Sequence, residues 1–65
     1  MGDLSAVDAR TLRALDRPRK LYQLAEDLCV PVYAVEGVCL RLEKAGLVQR
    51  VQIGSTPVTH WVAIP

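Results

Sequence analysis

Cationic side chains that could bind phosphate are concentrated in one short stretch of the sequence. Five of the eight Lys and Arg residues fall within eleven consecutive positions, with only one acidic residue among them. Arg10, Arg13 and Arg17 recur at the spacing of one helix face, and Arg19 and Lys20 follow directly. The stretch predicts either a patch that follows a phosphate backbone or an ordinary solvated helix face, and both interpretations remain open.

The other chemically reactive side chains match no catalytic or metal-binding pattern. The spacing of Cys29, Cys39 and His60 is neither that of a zinc site nor that of a redox motif. The glycines stand apart from one another, so no phosphate-binding loop is indicated. We therefore expect no enzymatic activity, no metal and no cofactor. Both cysteines are expected to be small buried residues, and His60 a half-exposed strand residue.

Length and composition limit the classes of protein that this chain can form. Its 65 residues predict a single domain, 1–65, and the 51% hydrophobic content is typical of a folded globule. The net charge is only +1, whereas most nucleic-acid binders carry a clear excess of basic residues. Whether this chain binds nucleic acid therefore depends on where its charges lie. The sequence shows neither a signal peptide nor an apolar run long enough for a bilayer. We expect a cytoplasmic protein with reduced thiols and no membrane partner.

The spacing of apolar residues predicts three helices followed by a β-hairpin. The helices are expected at about 5–16, 21–28 and 31–45, and the strands at 47–53 and 58–64 around a turn at 54–57. Ser5 and Asp8 resemble an N-terminal capping box, and Pro31 suits the start of the third helix. Gly46 suits a left-handed helix end, after which the apolar period changes from 3.6 to about 2 residues.

Two helices joined by a short turn and followed by a hairpin resemble a winged helix-turn-helix domain. The segments LAEDLCV (24–30) and LEKAGLV (42–48) are similar to the LA-x-x-L-x-V and LE-x-x-GLV segments of small bacterial transcription regulators. The resemblance covers about 5–64 and implies a mainly helical α+β fold with a C-terminal two-stranded wing. It also implies a recognition helix, 31–45, in the major groove of double-stranded DNA. The small size suggests a regulator of phage or plasmid type.

The resemblance implies DNA contacts from three parts of the chain. The residues before the second helix would hold phosphates, the outward face of the third helix would lie in the groove, and the wing, 47–64, would reach the flanking backbone. The expected contact residues are Arg17, Arg19 and Lys20; Val32, Tyr33, Glu36, Gly37, Arg41 and Lys44; and Arg50, Ser55 and Thr56.

The third helix also carries a stripe that suits a protein contact. Its inward positions are expected to be Val35, Val38, Cys39 and Leu42. Tyr33, Gly37, Leu40 and Lys44 then share the opposite face, where large apolar groups beside a small residue are typical of protein surfaces that bind a partner. The alternative function is therefore a winged-helix protein-interaction module with little or no DNA binding. Its Tyr33/Leu40 face would bind a protein partner or form a homodimer.

Three details of the third helix and the wing are left open by the sequence. Leu40 would belong to the core if the phase of the helix were shifted by one residue. Gly37 indicates a close approach, either by a ligand or by the first helix. Arg50 is expected either to reach DNA or to belong to an ordinary polar hairpin.

The end of the wing is similar to a second family of winged-helix domains, those that bind left-handed DNA. The similarity consists of Thr56-Pro57 followed by Trp61. It does not extend to the third helix, where Val32, Glu36 and Leu40 occupy the places of the Lys, Asn and Tyr of that family. Trp61 is instead expected to close the core beneath the wing.

Overall fold

A computed structural model describes residues 5–65, and residues 1–4 of the predicted domain lie outside that range. The elements are α1 (Ala6–Ala14), α2 (Leu21–Leu28), α3 (Val32–Lys44), β1 (Val48–Gln52) and β2 (Thr59–Ala63). The two strands pair antiparallel, with Val48 opposite Ala63 and Gln52 opposite Thr59. This mainly helical α+β architecture is a winged-helix arrangement, which confirms the predicted fold class.

The core lies where the three helices meet the sheet. Its buried residues are Leu15, Leu24, Ala25, Leu28, Val35, Val38, Cys39, Leu42, Val48 and Trp61. All four α3 positions that were predicted to face inward belong to this set, and Leu40 is 45% exposed. The phase of α3 is therefore confirmed, and the alternative that places Leu40 in the core is wrong. His60 is half-buried on β2, as expected.

Helix α3 begins and ends within one residue of the bounds that its flanking residues predict. Pro31 lies just before the first turn, as the N-cap, and Val32 begins the helix. At the other end Gly46 takes the left-handed conformation, with φ of 79°. The Leu47 N–H then donates to the Leu42 carbonyl at 2.9 Å, which satisfies a carbonyl of the last turn.

Helix α2 ends with the same left-handed motif, but a cysteine occupies the place usually taken by glycine. Cys29 has φ of 56°, and the Val30 N–H donates to the Ala25 carbonyl at 3.0 Å. In this conformation the Cys29 side chain is exposed, whereas Cys39 is buried in the core. The prediction of a buried thiol is confirmed for Cys39 and wrong for Cys29, because a helix-ending residue turns away from the packed face.

Helix α1 begins at the predicted cap and ends two residues earlier than predicted. The Ser5 Oγ accepts from the Asp8 N–H at 3.1 Å, which is one half of the expected capping box. The Asp8 carboxylate does not return to Ser5 but bonds to another helix. The helix ends at Ala14, and the carbonyl of Leu15 accepts from the Ala63 N–H at 2.9 Å. A carbonyl at the end of a helix has no partner within the helix, and this bond to β2 supplies one.

The turn between α1 and α2 is bonded to the wing, which the sequence did not predict. The Arg19 N–H donates to the Trp61 carbonyl at 2.9 Å, and the Trp61 N–H donates to the Arg19 carbonyl at 2.8 Å. Strand β2 therefore has hydrogen-bonded neighbours on both edges, β1 on one side and this turn on the other. The wing is held by the first half of the chain as well as by its own hairpin.

Alanine at two glycines should have opposite effects on stability. Gly46→Ala should lower the free energy of unfolding by about 1–2 kcal/mol, because a residue with a Cβ is strained in the left-handed region. Gly37→Ala should raise it by about 0.5–1 kcal/mol, since glycine weakens a helix interior. A Cβ at Gly37 would meet only the Arg41 Nη1, at 3.9 Å, so the alternative in which α1 packs closely against Gly37 is wrong. Urea denaturation followed by circular dichroism measures the free energy of unfolding of both variants. A loss of stability in Gly37→Ala would contradict the finding that there is room for a Cβ at this position.

The two thiols should react with iodoacetamide at very different rates. Burial, and then the neighbouring Glu43 carboxylate, raise the pKa of the Cys39 thiol to about 11. Because the thiolate is the reactive form, Cys29 should be modified at neutral pH while Cys39 reacts only on unfolding. The unfolded chain loses this proton first, so the free energy of unfolding should fall as pH rises from about 9 towards 11. Peptide mass spectrometry measures the labelling, and equal rates would contradict the burial of Cys39.

Candidate nucleic-acid interface

Helix α3 presents an open face on the side opposite the core. Tyr33 is 78% exposed and Leu40 45%, and Lys44 is exposed at the end of the same stripe. Gly37 lies between them and leaves the middle of the stripe without a side chain. Val32 and Glu36, which were also predicted to face outward, are exposed beside it. The helix thus offers a surface of one aromatic ring, aliphatic groups and a terminal cation.

The wing is joined to α3 through Arg50 on β1. The Arg50 Nε donates to the Glu43 Oε2 at 2.9 Å, and its Nη2 donates to the Glu43 Oε1 at 3.0 Å. The guanidinium also lies 4.9 Å from the centre of the Trp61 ring. Hydrogen bonding to Glu43, and then the charge of that carboxylate, raise the pKa of Arg50 above its ordinary value. A two-bond contact of this kind fixes orientation, so the helix and the wing present one continuous surface.

Arg41 joins α3 to α1. Its Nη2 donates to the Asp8 Oδ1 at 2.8 Å, and the Asp8 side chain is only 13% exposed while that of Arg41 is 62% exposed. A carboxylate with so little access to water needs a cationic partner, because an unpaired buried charge is strongly destabilising. Arg41 was predicted to contact DNA, and in the structure it neutralises Asp8 while much of its side chain stays open.

Arg19 is held inside the turn that connects α1 with α2. Its Nε donates to the Ala14 carbonyl at 2.6 Å, at the end of α1. Its Nη1 lies 3.3 Å from the Asp27 Oδ2, and its Nη2 lies 3.9 Å from the Asp16 Oδ1. A cation at a helix C-terminus bonds the last carbonyls and interacts favourably with the helix dipole. The guanidinium that was predicted to hold phosphate is thus already bonded to the protein.

The other Lys and Arg side chains have weaker contacts with carboxylates, or none within residues 5–65, and can bind a ligand more readily. Arg17 is exposed and makes only a long contact, 3.8 Å, with the adjacent Asp16. Lys20 and Lys44 form no ion pair within residues 5–65, and the same holds for Arg10 and Arg13.

Hydroxyl groups at the tip of the wing have different roles. The Thr56 Oγ1 accepts from the Val58 N–H at 3.3 Å, so this hydroxyl shapes the turn. Ser55 is exposed beside Gly54, whose φ is 60°. Of the two tip residues predicted to contact DNA, Ser55 has the more accessible side chain.

An apolar groove of about 440 Å³ continues from the start of α3 towards the wing. Tyr22, Val32 and Val58 line it, and all three side chains are exposed. Lys20 lies at the same groove, so the α1–α2 turn borders the surface of α3 at this end. No spacing in the sequence connects these residues, because they come from different elements that meet only in the folded chain.

Two carboxylates that the sequence did not assign to the site are central to it. Asp8 holds Arg41, and Glu43 holds Arg50. The partners are 33 and 7 positions apart, across a change of element, so helical periodicity cannot connect them. Within residues 5–65, no three His, Cys, Asp or Glu side chains are grouped as metal ligands. In the same range no helix combines the length and apolar character needed to cross a membrane.

Comparison with known proteins supports the fold. No protein-family model matches the chain, and no curated protein matches it. Among solved structures, the chain is similar to the crystal structure of RV1404 from Mycobacterium tuberculosis, with a TM-score of 0.88 and 26% sequence identity. The match covers 95% of this chain and 44% of that one, so the chain spans less than half the length of its structural neighbour.

Proposed function

We propose that this chain is a DNA-binding transcriptional regulator, acting in the cytoplasm, that places α3 in the major groove of double-stranded DNA. The wing would lie against the neighbouring backbone. The observation that carries the proposal is the open outer face of α3, beside a wing that the Arg50–Glu43 pair orients in the free protein. A recognition helix must project from its domain, and a wing that moves with it can contact the flanking phosphates at the same time.

The accessible cations supply the phosphate contacts in this proposal. Lys44 lies at the end of the exposed stripe of α3, and Lys20 and Arg17 lie in the turn before α2. Glu36 can accept a hydrogen bond from a cytosine amino group in the major groove. So few cations give a weak complex for one copy, and tight binding would need two copies or tandem sites.

Lys44→Ala should weaken binding to a mixed-sequence duplex, because it removes a cation from the proposed contact face. The salt dependence of the binding constant should become shallower by about 0.9 in slope for the one lost phosphate contact. Arg10→Ala is the matched control, since it removes the same charge from α1, on the side turned away from the buried Asp8 and Thr11. Fluorescence anisotropy of a labelled duplex over a range of salt concentrations measures both variants.

Two results of this titration would contradict the proposal in different ways. An unchanged affinity and salt slope in Lys44→Ala would remove this end of α3 from the contact, whatever the result for Arg10→Ala. No binding by the wild-type protein even at about 50 mM salt, where non-specific binding is strong, would contradict DNA binding itself.

We propose a protein-interaction module as the second candidate, because α3 carries large exposed apolar groups on both sides of Gly37 on the same face. Tyr33 and Leu40 lie there, and three arginines that could have given the surface a positive charge are bonded to carboxylates. An exposed aromatic beside an aliphatic group, in neutral surroundings, is typical of a protein contact. The partner in this proposal is a protein or a second copy of the chain.

Tyr33→Ser should abolish self-association or partner binding if this face contacts protein, and should weaken duplex binding if it contacts DNA. The free energy of unfolding should change by less than about 0.5 kcal/mol, since the side chain is largely exposed. Val7→Ser, which removes an exposed apolar side chain from α1, is the control. Sedimentation velocity measures self-association and duplex titration measures DNA binding, and no change in either would exclude this face from both of those contacts.

A further inference from the structure

The contact between Arg50 and Glu43 uses the part of the guanidinium that binds phosphate best. The Nε and Nη2 groups form one edge with two parallel N–H donors, and both donate to Glu43. Carboxylate and phosphate offer this edge a similar pair of oxygens, so they compete for it. In the free protein, the carboxylate of Glu43 occupies the place that a DNA phosphate would take.

The ring of Trp61 restricts the same guanidinium from a second direction. The Arg50 guanidinium lies 4.9 Å from the centre of the Trp61 ring, a distance at which a cation is attracted to the aromatic face. Arg50 is nevertheless 52% exposed and Glu43 34%, so solvent and ligands reach the pair. Arg50 is therefore exposed to solvent, but its contacts with Glu43 and Trp61 hold its guanidinium within the protein.

We propose that Glu43 is a specificity-determining residue of this surface, because it withholds Arg50 from non-specific contact with the DNA backbone. The inference rests on the proposed DNA-binding function. Non-specific affinity comes almost entirely from phosphate contacts, so a cation that must first break two hydrogen bonds adds little to it. A duplex whose bases also fit α3 supplies additional favourable contacts, and Arg50 can then exchange Glu43 for phosphate.

Glu43 is a better residue for testing this idea than Asp8, the other carboxylate that holds an arginine of α3 or the wing. The Asp8 side chain is only 13% exposed and accepts from Arg41, so its replacement would disturb the contact between α1 and α3. The Glu43 pair lies at the surface, where ion pairs contribute little to stability. A Glu43 variant should therefore change binding without unfolding the protein.

Glu43→Gln should bind a mixed-sequence duplex more tightly than the wild type. Its salt dependence should be steeper by about 0.9 in slope, which corresponds to one additional phosphate contact by Arg50. Glu26→Gln is the matched control, because it makes the same chemical change at an exposed position of α2 that forms no ion pair within residues 5–65. Its slope should equal that of the wild type.

The double variant separates release of Arg50 from a simple loss of negative charge. In an Arg50→Ala background, Glu43→Gln should no longer increase affinity or steepen the salt dependence. If the same gain persists without Arg50, the effect comes from the charge at position 43 alone, and the proposal is overturned.

A measurement without DNA keeps this inference separate from the proposed function. The NMR signal of the Arg50 Nε–H should exchange with water more slowly than that of the exposed Arg17, and Glu43→Gln should accelerate it. Exchange as fast as at Arg17 in the wild type would overturn the role of Glu43, whether or not DNA is bound. Slow exchange with equal duplex binding by the wild type and Glu43→Gln would overturn that role alone. Slow exchange with no duplex binding by either would overturn the proposed function, and the role of Glu43 with it.

Discussion

Trp61 contacts three parts of the chain at once, and the positions of those parts depend on it. Its side chain is buried in the core, and its backbone exchanges two hydrogen bonds with Arg19 in the α1–α2 turn. The outer side of the ring faces the guanidinium of Arg50, which in turn holds Glu43 on α3. One residue of β2 therefore aligns the turn, the first wing strand and the candidate recognition helix. In a chain with so small a core, a large aromatic side chain is an efficient way to join these parts.

The arginines of this protein act mainly as connections between elements. Arg19 links the end of α1 to α2, Arg41 links α3 to α1, and Arg50 links the wing to α3. The Arg50–Glu43 pair is exposed and adds little free energy. The Arg41–Asp8 pair differs, because Asp8 is only 13% exposed and needs its cationic partner. The net charge is only +1, and these pairings place carboxylates directly beside three of the eight cations. Charge and shape are therefore coupled, because the groups that orient the surface also neutralise it.

Local patterns predicted the parts of this structure that depend on local physics. The three helices, the phase of α3 and the left-handed end at Gly46 follow from apolar spacing and from the conformational freedom of glycine. The left-handed Cys29 was not predictable in this way, since a cysteine gives no signal for that conformation. The Arg19–Trp61 bridge and the Asp8–Arg41 pair join residues that are far apart in sequence, and they exist only because the helices dock at particular angles. The resemblance implied a set of DNA-contact residues, which stays a prediction, but it could not show which of them are already bonded within the protein.

The pairing of β2 with the α1–α2 turn has a consequence for how the chain is made. Leu15 and Arg19 find their backbone partners in Ala63 and Trp61, more than forty positions later. At a usual rate of about 5–20 residues per second, the ribosome takes several seconds to add those positions. During that interval the helices already synthesised expose the apolar faces that Trp61 will later cover. The turn between α1 and α2 therefore reaches its final hydrogen bonding only after β2 is available, and closure of the fold is a late, long-range step in folding.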